Sequence, residues 1–276
     1  MKSLFIFCLF FMMEISFAQS NLEKQLSYAN ELFDSTDYFE AITEYKRLIY
    51  FDVNKEYYWE ANYKIGLSYK SGGFYDNAIQ FLKISEMNGN TSDEILESKL
   101  QIVRCNILRR TTPIALQILD EIAIEYPTEE YQAEISYWRG WAFMLNDEWE
   151  NAAVEFGKLD AGHELQTLCT TVEESKFSAI FAKVISYLLP GSGYFYSGEY
   201  LPGILSLSWN ILGGYFTVNA ITENRIFDAF VIGELGWLRF YRGSIEGAEK
   251  SVAKKNLEIA NSAYRFLQNK YEGTQP

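Results

Sequence analysis

The sequence predicts an all-α protein, a solenoid of helical hairpins followed by an apolar helical hairpin. Three observations predict it. Four alanines, Ala41, Ala78, Ala115 and Ala152, recur every 37 residues, and four positions after them stand Tyr45, Leu82, Leu119 and Phe156. Twelve residues upstream of three of these alanines come Ala29, Gly66 and Gly140, with Leu32, Tyr69 and Phe143 three positions further on. From Phe177 to Tyr241 the composition turns to Gly, Trp, Phe and Tyr, and only Lys183, Glu199, Glu223, Arg225, Asp228, Glu234 and Arg239 are charged. A unit of this length that reads as two short amphipathic helices cannot bury its apolar faces alone, so it stacks on its neighbours.

The N-terminus carries a targeting pattern. Met1-Lys2, an apolar run from Leu4 to Met13 and Ser16-Phe17-Ala18 before Gln19 follow the layout of a secretory signal. Residues 1–18 are therefore read as a signal peptide cleaved after Ala18, which exports the mature chain. An uncleaved anchor competes with this reading, but the run is shorter than the roughly 20 residues a span needs. Cys8 precedes large residues, and no small residues prepare it for acylation.

Composition narrows the chemistry. The formal net charge is −13, which argues against nucleic acid, whose binders carry a basic face. The acidic residues fall mostly between apolar positions of the repeats, as on solvated helix faces. Cys105 and Cys169 remain after the signal; Cys105 lies in an apolar pattern suited to a buried thiol, and a disulfide between the two is the alternative. His163 is the single histidine. It excludes a His-based zinc cluster and reads as a solvated loop residue in Asp160-Ala161-Gly162-His163. No catalytic, cofactor-binding or metal-ligating set is expected.

Within residues 22–160, small residues at Ala29, Gly66 and Gly140 let paired helices approach, and the large residues beside them fill space. Polar turns follow at Ser35-Thr36-Asp37, Ser71-Gly72-Gly73 and Asn146-Asp147-Glu148, each with a nearby aromatic, Tyr38, Tyr75 or Trp149. Small-x-x-aromatic, aromatic after the turn and Ala-x-x-x-aromatic together resemble the tetratricopeptide repeat in units one, two and four. The third unit departs: Val103 takes the small position and Arg109-Arg110-Thr111-Thr112-Pro113 replaces the turn, although Ala115, Leu119, Ile122 and Pro127 fit. The resemblance implies a right-handed array whose concave groove, lined by first helices, holds a peptide or a partner's helix. Asn62, Tyr63, Arg104 and Trp138 are the candidate partner-binding residues, and a helix beginning near Thr171 would cap the array.

After a linker at 161–171, residues 172–249 form a Gly- and aromatic-rich domain. Leu201 to Ala220 has no charge, which predicts a membrane helix, and Ile226 to Tyr241 after a turn makes a hairpin. A buried hairpin of a soluble domain is the competing reading. Glu234, mid-helix, is expected to accept bonds from Asn210 or Trp209. Phe177 to Tyr196 would be a third span or a re-entrant helix, and residues 250–276 a polar helix and tail on or off the membrane. Pro190-Gly191-x-Gly193-x-x-Tyr196-x-Gly198, an apolar helix, and Glu234-Leu-Gly-Trp237 before a turn at Phe240-Tyr241-Arg242-Gly243 resemble a small uncharacterised membrane domain of bacterial envelope proteins, similar in appearance to TM2-type two-span modules. That likeness implies location and architecture, with no activity attached.

The expected function is an exported scaffold, attached to membrane lipid, that binds a protein or peptide partner in the cell envelope. A soluble periplasmic adaptor whose apolar helices pack on the repeats is the alternative, and a transporter-type module around Glu234 is the third reading.

Overall fold

A computed structural model describes residues 21–160 and 162–276 of the chain. The signal-peptide expectation lies outside the described residues. The described residues form helices joined by turns, with no strand among them. The described residues fall into two compact units, those up to Thr167 with Thr274–Pro276, and Leu168–Gly273.

The first unit is a series of helix pairs. They are α1 (21–34) and α2 (Tyr38–Phe51), α3 (Tyr58–Ser71) and α4 (Tyr75–Met87), α5 (Ser92–Leu108) and α6 (Thr112–Glu125), then α7 (Glu129–Leu145) and α8 (Trp149–Gly157). Each helix packs on the next, and the first helices α3, α5 and α7 also pack on one another. This adjacency makes a continuous core from units that lack one individually.

The two sequence regularities turn out to be two sides of one contact. A Cβ placed on Gly66 would meet the Leu82 side chain at 2.6 Å, and one on Gly140 would meet the Phe156 ring at 2.6 Å. The small residue of the first helix thus seats the large residue that follows the repeat alanine. Ala29, Ala41, Ala78, Ala115 and Ala152 are wholly buried. Burial of this kind supplies roughly 25 cal/mol for each Å² of apolar surface.

The turns repeat with the same period. Thr36, Gly73, Arg110 and Asp147 all take a left-handed backbone, with φ of 67°, 78°, 58° and 65°. One residue later an N–H closes onto the carbonyl five positions back: Asp37 to Leu32, Phe74 to Tyr69 and Thr111 to Asn106 at 2.9 Å, and Glu148 to Phe143 at 3.0 Å. This is the helix-terminating bond pattern usually made with glycine. The third unit, deviant in sequence, therefore has the turn of the others. Between units, buried Asp52 accepts bonds from the N–H groups of Glu56 and Tyr57 at 3.0 and 2.7 Å, which fixes the entry to α3.

The expected linker is largely helix. α9 (Glu164–Ser175) starts at 164, ahead of the Thr171 start the sequence suggested, and the division between the units falls within it. His163 corrects its expectation too. Its ring stacks on Phe156 with centroids 5.8 Å apart, and its Nδ1 accepts from Leu165 N at 3.2 Å, so it caps α9 instead of standing free in solvent.

The second unit comprises the rest of α9, then α10 (Ala179–Leu188), α11 (Ser192–Tyr196), α12 (Tyr200–Thr222), α13 (Ile226–Phe230), a π-helical segment (Val231–Leu238) and α14 (Arg239–Asn269). Among the described residues no helix is long and apolar enough to cross a membrane. The expected spanning hairpin is corrected accordingly. α12 has 23 residues, but Ser206, Ser208, Asn210, Gly213, Gly214, Thr217 and Asn219 dilute its apolar content. The second apolar stretch runs on without a stop into polar α14, because Arg242 and Gly243, read as a turn, are helical. The expected third span is cut by Gly191, whose φ is 97°.

α14 packs on α10, α11 and α12. Its inward residues Ser244, Ile245, Ala248, Ser251 and Val252 are buried, so the stretch read as a separate polar helix begins within this core.

Candidate functional site

α3, α5 and α7 each carry a polar or aromatic row on the face they share. On α5 the row is Glu97, Gln101 and Arg104, at i, i+4 and i+7, which helical periodicity places on one side. Tyr63 of α3 donates its hydroxyl to Glu97 Oε1 at 2.6 Å, and Gln101 Nε2 donates to the same oxygen at 3.1 Å. Burial, then the Glu97 bond, pushes the Tyr63 phenol above its ordinary value. The Tyr63 ring stacks on Trp59 with centroids 5.2 Å apart.

Lys70, two turns along α3 from Tyr63, donates to Gln101 Oε1 at 3.1 Å. Burial, with the positive charge of Arg104 beside it, lowers its ammonium to about 8. Arg104 lies over the Trp138 ring at 4.7 Å, a cation–π pair, and Trp138 Nε1 donates to Glu134 Oε1 at 3.2 Å. Burial lowers the guanidinium from its ordinary value, and its Nε is buried with no hydrogen-bond partner.

Two donors on this face hold main chain. Arg104 Nη2 donates to the Gln275 carbonyl at 2.7 Å, and the Tyr137 hydroxyl donates to the Thr274 carbonyl. The arrangement suits a segment that offers main-chain carbonyls to these donors.

Of the four sequence candidates, Tyr63, Arg104 and Trp138 meet in this network. Asn62 does not: it is buried, and its amide donates to the Tyr58 carbonyl of its own helix at 2.6 Å. Lys70, Glu97, Gln101 and Tyr137 were missed. The signal for Tyr137 was present, because it lies 74 residues, two repeat periods, after Tyr63.

The second unit's motif residues are structural. Gly191 is left-handed, and a Cβ there would lie 2.5 Å from the Gly203 carbonyl oxygen; its N–H donates to Ser244 Oγ at 3.1 Å. Gly193 N donates to Ser186 Oγ at 3.1 Å. Pro190 stands between the end of α10 and this turn, and Gly198 takes the left-handed turn before α12. Tyr196 accepts from Ser178 N at 3.1 Å, and Tyr241 donates to the Tyr187 carbonyl at 2.7 Å. Trp237 packs on Gly213 and Gly214, the close approach their lack of side chains permits. Nothing contacts the Cβ position of Gly243.

Glu234 corrects its expectation. Gly233 and Trp237 face α12, so in this π-helical stretch Glu234 turns outward and is exposed. Asn210 instead donates to the Ser206 carbonyl at 2.8 Å, and Trp209 stacks on Phe240. Elsewhere in this unit many outward residues are large and apolar: Ile180, Phe181, Leu188, Leu201, Ile204, Trp209, Ile211, Leu212, Phe216, Ile221, Ile226, Phe227, Phe230 and Leu235 are all exposed.

Cys105 and Cys169 are free and buried, and burial pushes their thiols up to about 11 and about 12. Among the described residues no group of three or more His, Cys, Asp or Glu is placed to hold a metal ion. Comparison with protein-family models finds no match for this chain, and comparison with curated proteins finds none either. What the fold and the site define is a class: an all-α array of helix pairs with a donor-bearing face, joined to a helical unit whose large side chains point outward.

Proposed function

We propose that this protein is an exported scaffold of the cell envelope, attached to a membrane by its second unit, whose tetratricopeptide-like first unit binds an extended segment of a protein partner. The observation that carries the binding half is the pair of donors, Arg104 and Tyr137, bonded to consecutive main-chain carbonyls. Attachment is supported by the many large apolar side chains exposed between residues 180 and 240, more than the scattered single ones that need no explanation. It is also supported by the interior of that unit, where Ser197 bonds Ser251 at 2.6 Å and Ser206 bonds Ser244 at 2.6 Å. Small residues and hydroxyl pairs between helices are the packing mode of proteins in lipid. Export is supported by the signal-like N-terminus. An outward, exposed Glu234 offers a transporter-type mechanism no support.

The test is fractionation of the chain expressed with its own N-terminus. The proposal expects carbonate-resistant membrane, with the repeats cut by protease only in opened periplasm. Leu212→Asp with Phe216→Asp should move the protein to the soluble fraction, since each replaces an outward apolar side chain that the proposal sets against lipid with a charge. Recovery of the unchanged protein in the soluble periplasm would end the membrane half of the proposal.

A further inference from the structure

The face between α5 and α7 already has an occupant. Thr274–Pro276 group with the first unit, and two of their carbonyls are bonded there: Thr274 O receives the Tyr137 hydroxyl and Gln275 O receives Arg104 Nη2. Arg104 is held for this by the Trp138 ring beneath it, itself tied to Glu134. We infer that Thr274–Pro276 is an intramolecular occupant of the peptide face, so that a partner binds by displacing this segment. The inference rests on the peptide-binding reading above and adds what fills the site when no partner is present.

Three features argue for a displaceable occupant. The Arg104 and Tyr137 bonds are to carbonyls, which any competing segment also offers. Thr274 and Gln275 are themselves exposed and bury little apolar surface. Arg104 is also incompletely used, since its Nε is buried without an acceptor while one Nη2 bond is made. A competitor whose oxygens reach both nitrogens would gain the bidentate contact the present occupant lacks. Tethering compensates for these weaknesses, because a covalently linked segment competes at an effective concentration in the millimolar range. The partner this face fits is therefore an extended peptide with an acidic side chain or a second carbonyl opposite Arg104.

The experiment uses a fluorescein-labelled peptide of residues 268–276 and an array of unrelated extended peptides, each titrated against the full chain and against a chain ending at Gly273. Unchanged circular dichroism and Tm of the shortened chain establish that it folds. The inference expects the 268–276 peptide to bind the shortened chain about 5-fold or more tighter than the full chain, with Arg104→Ala in the shortened chain removing the binding. Array peptides should show the same gain. Equal affinity for both chains would overturn the occupant while leaving the peptide face standing. No Arg104-dependent binding of any peptide to either chain at millimolar concentration would overturn both. A dimer of the full chain that dissociates when residues 274–276 are removed would overturn the intramolecular form, since the segment would then occupy a second copy.

Discussion

Trp149 and Phe156 in the first unit have no exposed surface, whereas Trp209 and Phe216 in the second are 53% and 51% exposed. The interiors differ in the opposite sense. Between the helices of the first unit lie Leu48, Ile65, Leu82, Ile102, Leu119 and Ile122. Between those of the second lie Ala182, Ser186, Gly193, Ser197, Ser244, Ala248 and Ser251. Both are helical and closely packed, so helix formation alone does not tell them apart. The difference is where the large apolar side chains go, and water rewards burying them in one case only. The second arrangement is the one that the proposed membrane attachment would use.

Large-to-small substitutions should expose this contrast most strongly. Trp149→Ala should destabilise the first unit by about 3–5 kcal/mol, the usual cost of emptying a core site. Ile211→Ala, at 61% exposure, should cost under about 0.5 kcal/mol in denaturant unfolding followed by circular dichroism. Comparable losses would mean that Ile211 is buried against another copy, and the contrast would fail.

Glycine positions should behave alike in both units, which sharpens the comparison. Gly140→Ala meets the Phe156 ring, and Gly193→Ala meets the Ala248 side chain at 2.6 Å. Each overpacks a tight crossing and should cost about 1–3 kcal/mol. A tolerated Gly193→Ala would show that the second unit's helices are looser than its glycines imply.

How much of this was legible depends on whether a residue type declares its role. The pairing of Gly66 with Leu82 and of Gly140 with Phe156 was readable, because the period put a small and a large residue at fixed offsets. The third turn was not, since arginine rarely marks a left-handed position as glycine or aspartate does. Glu234 was misplaced because a 3.6-residue period assigned it a face that π-helical winding moves. Gly243 was taken for a turn residue, but a helix tolerates glycine at a cost of about 1 kcal/mol, which packing along α14 outweighs. Asn62 read as a groove residue because its polarity suggests exposure; bonding to Tyr58 O satisfies it inside. The contact of Arg104 with Gln275 spans 171 residues and has no local signal.

Lys70 tests the cost of an inward cation in the first unit. Its ammonium is lowered from 10.5 to about 8, so the unfolded chain holds more protons between those values and stability rises with pH through that window. Below pH 8 the penalty is fully present. Lys70→Met should therefore raise stability at pH 7 by on the order of 1–2 kcal/mol, after a discount for partial exposure, and the advantage should shrink from pH 8 to 10.5. An advantage constant with pH would place the effect in packing. A small gain is expected at Arg110, where φ is 58°: Arg110→Gly should stabilise by up to about 1 kcal/mol by relieving a left-handed side chain.

The most direct measurement is photolabelling of the full chain in phospholipid vesicles that carry a carbene-generating group at the acyl-chain end, with labelled residues located by mass spectrometry. The two-surface account predicts label on the outward residues between 180 and 240, Leu212 and Phe216 among them, and none on residues 21–160. Labelling absent from the second unit, or spread evenly over both, would contradict it.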